Sequence, residues 1–485
     1  MTGVGIDPVH AALDRGLHAL AAIGGDLVEH ANAIGATLWA PPRLVVVGRL
    51  KAGKSTLVNA IVGAPIAETA ALEATRVVAV YSDGQPSRAE VVALDGTRMP
   101  VPLGPGHVRE LPLPDEEIAY LQRWLPSAAI RDLTFVDTPG LATLTARNDR
   151  ATRRVLIDGV EQTRAASVDA DAAVFLFDAT PRQDELDFLR KLPLSPLNTI
   201  GVLSRADGFA EGALGRRDPM QHAAEHARHL ASRLAGTVAT VVPVSGLMAQ
   251  TARTGAVSEA DARALAALDG LPALDLVELL ESDAPGPVSP ETRDRLLDLV
   301  GEYGMIHGRT VAGRGAAALT AWLDSTSGMA ELMSVVRSSL REYAVLNRAR
   351  RVLDQIEALA WSHPDRDRIR GVVHEVRSDP VMLRVALLRD LQNVLTADPT
   401  ALVADDLRTL LVGRTPAAQV GLSPDAPDHE VRRVARDRAA EVGSRALASA
   451  SAAEDAAIVD VVRAYTAIAS GPGAGPAQSY GRMQP

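Results

Sequence analysis

The eight residues Gly48-Arg49-Leu50-Lys51-Ala52-Gly53-Lys54-Ser55 constrain this chain more than any others. They fit G-x-x-x-x-G-K-[ST], a loop that cradles phosphate groups. Leu44 to Val47, just before them, form the short apolar β-branched run of a buried strand. Thr56-Leu57-Val58-Asn59-Ala60-Ile61, just after them, read as the first turns of a helix. Strand, glycine loop and helix together aim backbone N–H groups and a helix N-terminus at anionic oxygens. On this reading Gly48, Lys51, Ala52, Gly53 and Thr56 surround the phosphates. Lys54 adds a charged donor to the β- and γ-phosphates, and the Ser55 hydroxyl ligates Mg²⁺. An ordinary strand-to-helix turn would explain the eight residues alone, but not the motifs that follow.

Asp137-Thr138-Pro139-Gly140 closes the strand pattern Leu133-Thr134-Phe135-Val136. A D-x-x-G there lets Asp137 reach Mg²⁺ through water and lets the Gly140 N–H sense the γ-phosphate. Ser204-Arg205-Ala206-Asp207 ends the apolar strand Thr199 to Leu203. Guanine-binding domains usually carry [NT]-K-x-D at this point. Asp207 would accept from guanine N1–H and N2–H, a pairing that adenine cannot supply. Ser204 and Arg205 depart from the pattern but keep a hydroxyl and a long cationic stem. Val242-Pro243-Val244-Ser245-Gly246 ends another strand, where a backbone N–H near Ser245 would meet the guanine O6. Between these motifs a switch threonine that ligates Mg²⁺ with GTP bound is expected. Thr75, just ahead of the strand at 77–81, is favoured over Thr69, and a solvated loop threonine remains the plain alternative.

The position after Gly140 holds Leu141, which cannot orient water as a glutamine does in small GTPases. Lys51, three residues before Lys54, is a candidate to lean toward the phosphates and offset charge developing there. A solvent-facing loop lysine is the equally plain reading.

These residues resemble bacterial dynamin-like proteins. Lys51 to Ala60, Glu73-Ala74-Thr75-Arg76, Val136 to Gly140, Ser204 to Asp207 and Val242 to Leu247 are similar to the actinobacterial isoniazid-inducible (Ini) proteins. Length and the Ser-Arg-Ala-Asp variant suit the IniC type, and similar texture continues in Tyr303-Gly304-Met305 and Ser327 to Leu332. The resemblance covers roughly residues 1–360. It implies a GTPase head on a helical stalk, nucleotide-dependent self-association as a homodimer or higher oligomer through the GTPase domain, and membrane remodelling at the cytoplasmic face. It also implies Gly48 to Ser55 on phosphate, Thr75 and Asp137 in the switches, and Ser204, Arg205 and Asp207 on guanine. A paralogous dynamin-like protein is a further partner by the same resemblance.

Along the chain, Leu13, Leu17, Leu20, Gly24, Leu27, Ala31, Ile34 and Leu38 form a heptad stripe that predicts one long helix over 1–42, weak at Gly24-Gly25. Residues 43–282 form an α/β GTPase domain with strands at 44–48, 77–81, 89–93, 133–137, 172–177, 199–203 and 239–244, hence a mostly parallel sheet. The helix over 1–42 is read as a neck, residues 283–290 as a linker, 291–469 as an elongated all-α stalk bundle, and 470–485 as a disordered tail by composition. Trp322 and Trp361 each sit beside a helix break and suit either a membrane interface or inter-helix packing.

The net charge of −10 and the lack of a basic, aromatic-interleaved segment argue against nucleic acid, and so against a translation or ribosome-assembly GTPase. Asp207 argues against an ATP-driven machine. The absence of cysteine excludes disulfides, thiol catalysis and zinc–thiolate sites. No stretch approaches the ~20 apolar residues of a spanning helix, and Met1 to Pro8 lacks a signal-peptide pattern. The expectation is a cytoplasmic protein, peripheral at the inner face of the plasma membrane, hydrolysing GTP to GDP with Mg²⁺. The alternative is a weakly hydrolysing GTP-binding switch that co-assembles with another dynamin-like protein.

Overall fold

The computed structural model describes residues 7–49, 51–66, 77–104, 111–138, 170–190, 194–282 and 284–471. The chain forms two compact units, Pro41–Val345 and a second built from Met1–Ala40 with Leu346–Pro485.

Helices α1 (Pro8–Ala21) and α2 (Leu27–Trp39) come first. The heptad stripe predicts one helix; the structure has two. Gly24 and Gly25 between them take φ values of 93° and 65°, a left-handed region that glycine enters without a Cβ clash. The stripe itself is buried, with Leu13, Leu20 and Leu27 fully inaccessible.

In the larger unit, β1 (Arg43–Gly48) leads through the glycine loop into α3 (Lys54–Val62). Strands β2 (Ala79–Asp83), β3 (Arg88–Ala93), β4 (Arg98–Val101), β5 (Ile118–Leu125) and β6 (Thr134–Asp137) follow. Then come β7 (Ala172–Phe177), α4 (Gln183–Arg190), β8 (Thr199–Ser204), α5 (Pro219–Arg233) and β9 (Thr240–Val244). Helices α6 (Gly246–Arg253), α7 (Glu259–Ala266) and α8 (Ala273–Leu280) complete this stretch.

The sheet runs β4-β3-β5-β2-β6-β1-β7-β8-β9. From β6 to β9 it is parallel, while β2 pairs antiparallel with β6, and β3 antiparallel with β4 and β5. The sheet is thus mixed but mostly parallel, since β2 and β5 also pair parallel. β1 lies inside the sheet, between β6 and β7, and is apolar on both faces, as parallel strands covered on both sides must be. Leu44 and Val46 point to the α3 side, and Val45 and Val47 to the α5 side.

Two strands escape the sequence pattern. β4 is short and carries Pro100, a residue suited to the sheet edge that it occupies. β5 buries Gln122 and Arg123, which break the apolar run. Each is satisfied: Gln122 Nε2 donates to Ser82 Oγ at 3.1 Å and Arg123 to the Ile66 carbonyl at 2.7 Å.

Helices α9 (Pro290–His307), α10 (Arg309–Ala312), α11 (Ala316–Thr326) and α12 (Met329–Val335) follow the linker, and a π turn at Val336–Leu340 leads into α13 (Arg341–Ser362). The sequence puts everything after the linker in one bundle. The compact units divide instead between Val345 and Leu346. Leu296, Val300, Leu319 and Leu323 share a core with Met248, Leu265 and Leu276, and Met329 and Leu332 join the α3 side of the sheet.

The smaller unit adds α14 (Arg366–Ser378), α15 (Leu383–Ala397), α16 (Val403–Val412), α17 (Pro416–Gln419), α18 (Asp428–Arg445) and α19 (Ala452–Ser470) to α1 and α2. Asp406 anchors it, accepting from the Tyr465 hydroxyl at 2.9 Å and from Arg445 at 3.1 Å.

Two predictions follow from the larger unit. Gly328 has φ 78°, and a Cβ there would run into the Pro243 carbonyl. Gly328→Ala is therefore expected to destabilise this unit by about 2 kcal/mol or more, read by denaturant unfolding. Asp261, which caps α7, receives both arms of Arg295 from α9 at 2.9 and 3.1 Å. The Arg295 hydrogen bonds, with help from Ser258, hold its carboxyl down at about 2. Its folded value lies below the unfolded value of 3.8, so its contribution is full above 3.8 and is lost as pH falls toward about 2. Asp261→Asn should flatten that acid limb in a series of unfolding curves against pH.

Candidate functional site: a nucleotide cleft at the strand ends

β1, β6, β8 and β9 are parallel neighbours or near neighbours, so the loops that follow them open on one edge of the sheet. That edge is the carboxyl end, where open α/β sheets bind ligands. Gly48, Asp137, Ser204 and Ser245 all stand there.

The phosphate loop is shaped by close contacts. A Cβ on Gly48 would lie 2.7 Å from the Leu176 carbonyl of β7, so only glycine lets the two strands approach at that point. Gly53, at the start of α3, takes φ 93°. Lys51 takes φ 64° and Arg205 φ 54°, a conformation that costs a non-glycine residue about 1–2 kcal/mol. The two strained residues are joined, because Arg205 donates to the Lys51 carbonyl at 2.9 Å. The phosphate loop and the base loop are thereby tied together. The Lys51 side chain is exposed.

Lys54 is 8 % exposed and donates to the carbonyls of Gly48 at 3.2 Å and Arg49 at 3.0 Å. Burial pushes its pKa below the usual lysine value, and the Asp137 charge opposes that shift. Asp137 ends β6 in register with Val46 of β1. Its Oδ1 is closed to solvent and has no hydrogen-bond partner, although the residue as a whole keeps some exposure. Burial lifts its carboxyl to about 6, against the pull of Lys54, the Thr138 N–H and the Ser55 hydroxyl. Thr138 is locked in place by donating to the Val46 carbonyl at 2.8 Å.

An unpartnered buried carboxylate oxygen beside a serine hydroxyl fits a hard, oxygen-seeking cation such as Mg²⁺. Ser55 and Asp137 are the residues that would hold it. Among the described residues no cluster of three or more His, Asp or Glu offers another metal site. Thr69, Thr75, Gly140 and Leu141 lie outside the described residues.

Beyond the phosphate loop a cavity of about 390 Å³ opens between Ala52, Gly53 and Thr56 on one side and Arg205, Asp207 and Gly246 on the other. Its volume and its mixed apolar and polar lining suit a nucleoside. Asp207 is half-buried at its wall. Ser204 does not point a free hydroxyl at this space: it donates to the Phe177 carbonyl at 3.2 Å and fastens β8 to β7.

Ser245 differs from expectation. It is fully buried, its N–H donates to the Ser327 carbonyl at 2.9 Å, and its hydroxyl caps α6 through the Met248 N–H at 3.4 Å. The cavity is lined instead by Gly246 and Leu247, in the first turn of α6, where helix N–H groups have no intrahelical partner. These unpartnered N–H groups, not that of Ser245, are the ones the cavity leaves open to a ligand.

Sequence reading missed two residues of the cavity wall, Glu302 and Tyr303 of α9. The sequence marks Tyr303-Gly304-Met305 only through resemblance. A usable signal was Gly301, a glycine inside a helical pattern. It takes φ 66° and ψ 176° and breaks the helix at the cavity.

Residues 43–200 match a family model described as 50S ribosome-binding GTPase. The chain is 31 % identical over 443 residues to the isoniazid-induced protein IniC of Mycobacterium tuberculosis, covering 85 % of this chain and 86 % of IniC. It is 36 % identical over 130 residues to the isoniazid-induced protein IniA of the same organism, 25 % of this chain and 20 % of IniA. Among solved structures, a chain of an oligomerised bacterial dynamin pair, described in terms of long-range sensing and tethering of membranes, aligns over 84 % of this chain and 72 % of its own. That alignment has a TM-score of 0.32 and 14 % identity.

Asp207→Asn is expected to weaken GDP binding at least about 100-fold, because two hydrogen bonds to a charged acceptor are lost or reversed. The same variant should gain affinity for XDP, whose C2 carbonyl accepts from an amide. Calorimetric titration with both nucleotides reads the switch.

Proposed function

The chain belongs to the isoniazid-induced IniC proteins, the dynamin-like type of P-loop GTPase that its motifs resemble, and we propose that it hydrolyses GTP to GDP and phosphate to drive self-association and membrane remodelling. The observation that carries the hydrolytic reading is Lys54, buried against the Gly48 and Arg49 carbonyls, beside Asp137, whose Oδ1 is closed to solvent and has no partner.

In that reading Gly48 to Ser55 wrap the phosphates with backbone N–H groups. Lys54 turns from the Gly48 and Arg49 carbonyls, a short reach away, to the β- and γ-phosphate oxygens. Asp137 and Ser55 hold Mg²⁺, which when bound would neutralise charge building between the β- and γ-phosphates. Asp207 takes the guanine N1–H and N2–H, and Arg205 lies along the base loop. Thr75 and Gly140 keep the switch roles that the resemblance gives them. Lys51, exposed on the strained side of the loop, is placed to meet phosphate oxygens once the switches close or a second GTPase domain docks.

Leu141 cannot orient the attacking water. This favours low turnover by the isolated chain and a dependence on assembly, through a second copy of the GTPase domain or a paralogous dynamin-like partner. It is also the observation behind the second reading, a GTP-binding switch that turns over poorly alone.

Among the described residues no helix is long and apolar enough to cross a membrane. In this reading membrane action is peripheral, at the inner face that the resemblance implies. Trp322 is packed, its ring stacked 6.1 Å from that of Tyr303, whereas Trp361 is 81 % exposed at the end of α13. Trp361 is the better-placed contact for a lipid interface.

GTP turnover per molecule is expected to rise with protein concentration, and again with anionic liposomes. Lys54→Ala should lower it at least about 100-fold, the loss typical of removing one charge-stabilising donor. Flat turnover near the Lys54→Ala blank, with GTP still bound, would favour the switch. Unchanged turnover and affinity in Lys51→Ala would remove Lys51 from the mechanism.

A further inference from the structure

Helix α9 lies after the linker, yet it reaches the base side of the nucleotide cavity. Gly301 interrupts the helix, and a Cβ there would stand 3.5 Å from Asp207 Oδ2 and 3.3 Å from Leu247. The α9 backbone therefore abuts the carboxylate assigned to guanine. The next residue, Glu302, is exposed and lines the same 390 Å³ cavity. The residues around it are pinned. The Leu299 carbonyl accepts from Thr251 Oγ1 at 2.5 Å, and the Tyr303 hydroxyl donates to Asp218 at 2.9 Å. The Tyr303 ring also packs against that of His307, with centroids 4.4 Å apart and planes tilted by 37°.

Ionised glutamate only accepts hydrogen bonds. The guanine edge facing Asp207 only donates. Its N1–H and one N2–H fill Asp207, and the exocyclic amine keeps a second hydrogen that points away from Asp207 toward the ribose side. We propose that Glu302 accepts this second amine hydrogen, making it a specificity-determining residue that reads the guanine 2-amino group. The assignment rests on the guanine-nucleotide reading of the cavity. It explains why the chain turns a glycine-broken helix end toward Asp207: a second acceptor there selects for an amine at C2. Hypoxanthine, which has only C–H at C2, gains nothing from Glu302. Xanthine, with a carbonyl at C2, is repelled.

The test is the affinity of the full chain for GDP and for IDP by calorimetry, comparing wild type, Glu302→Ala and Glu302→Gln. GDP and IDP differ only in the 2-amino group. Glu302→Ala should weaken GDP by about tenfold and leave IDP unchanged, collapsing part of the GDP/IDP preference. Glu302→Gln, which keeps an acceptor oxygen, should retain part of the preference. Equal weakening of GDP and IDP would overturn the proposal and point to a ribose contact, which 2′- and 3′-deoxy-GDP would locate. No change in either affinity would also overturn it. Failure of the wild-type chain to bind GDP would instead defeat the guanine-nucleotide reading itself. Circular dichroism spectra and melting curves matching wild type separate lost recognition from lost fold.

Discussion

The nucleotide cleft depends on a charge that the fold holds away from water. Lys54 is nearly buried, held by two loop carbonyls, and faces Asp137. Burial outweighs attraction for both groups, since the lysine is pushed down and the carboxyl up to about 6. Neither shift would arise from an exposed ion pair, where water screens each charge. The protein itself thus under-compensates both charges. In the proposed reading a polyphosphate would answer the lysine, and a divalent cation the orphaned Asp137 oxygen. Ligands of both signs would there remove a desolvation cost that the chain sustains alone.

That arrangement needs backbone held at close quarters. Gly48 lets β1 and β7 pass without a Cβ between them. The Arg205 bond to the Lys51 carbonyl then couples two left-handed residues on different loops. Strain of this kind persists only where surrounding contacts over-determine it. Here the over-determination is the sheet on one side and the fastening of Ser204 to Phe177 on the other.

Much of this was legible in the sequence, because the chemistry is local there. Gly48 to Ser55, Asp137 and Asp207 sit directly after apolar strand patterns, and the structure brings their strand ends to one edge. The mostly parallel sheet followed from the same alternation. What stayed hidden depends on tertiary pairing. β5 reads as polar because Gln122 and Arg123 are satisfied by partners distant in sequence, Ser82 and Ile66. Ser245 reads as a base contact because its strand-end position is right. Only the Ser327 carbonyl, 82 residues away, removes its N–H. The composition of 283–290 suggests a linker, but composition carries no information on which core the helices after it join.

Those helices change how the cleft can communicate. Ser327 holds the strand end at Ser245, Gly328 rests against the Pro243 carbonyl, and Gly301 stands against Asp207. Two of the loops that line the cavity are thus braced by segments of chain that follow the linker. Displacing the Ser245 strand end would strain or break its hydrogen bond to the Ser327 carbonyl, leaving a buried polar group unpaired. This is a contiguous physical coupling of the kind that can bias a two-state element, and it runs through named contacts. The bracing also accounts for the glycines. At Gly301 and Gly328 the backbone itself is the contacting surface, so the helices sense the nucleotide loops through main-chain position more than through side-chain chemistry.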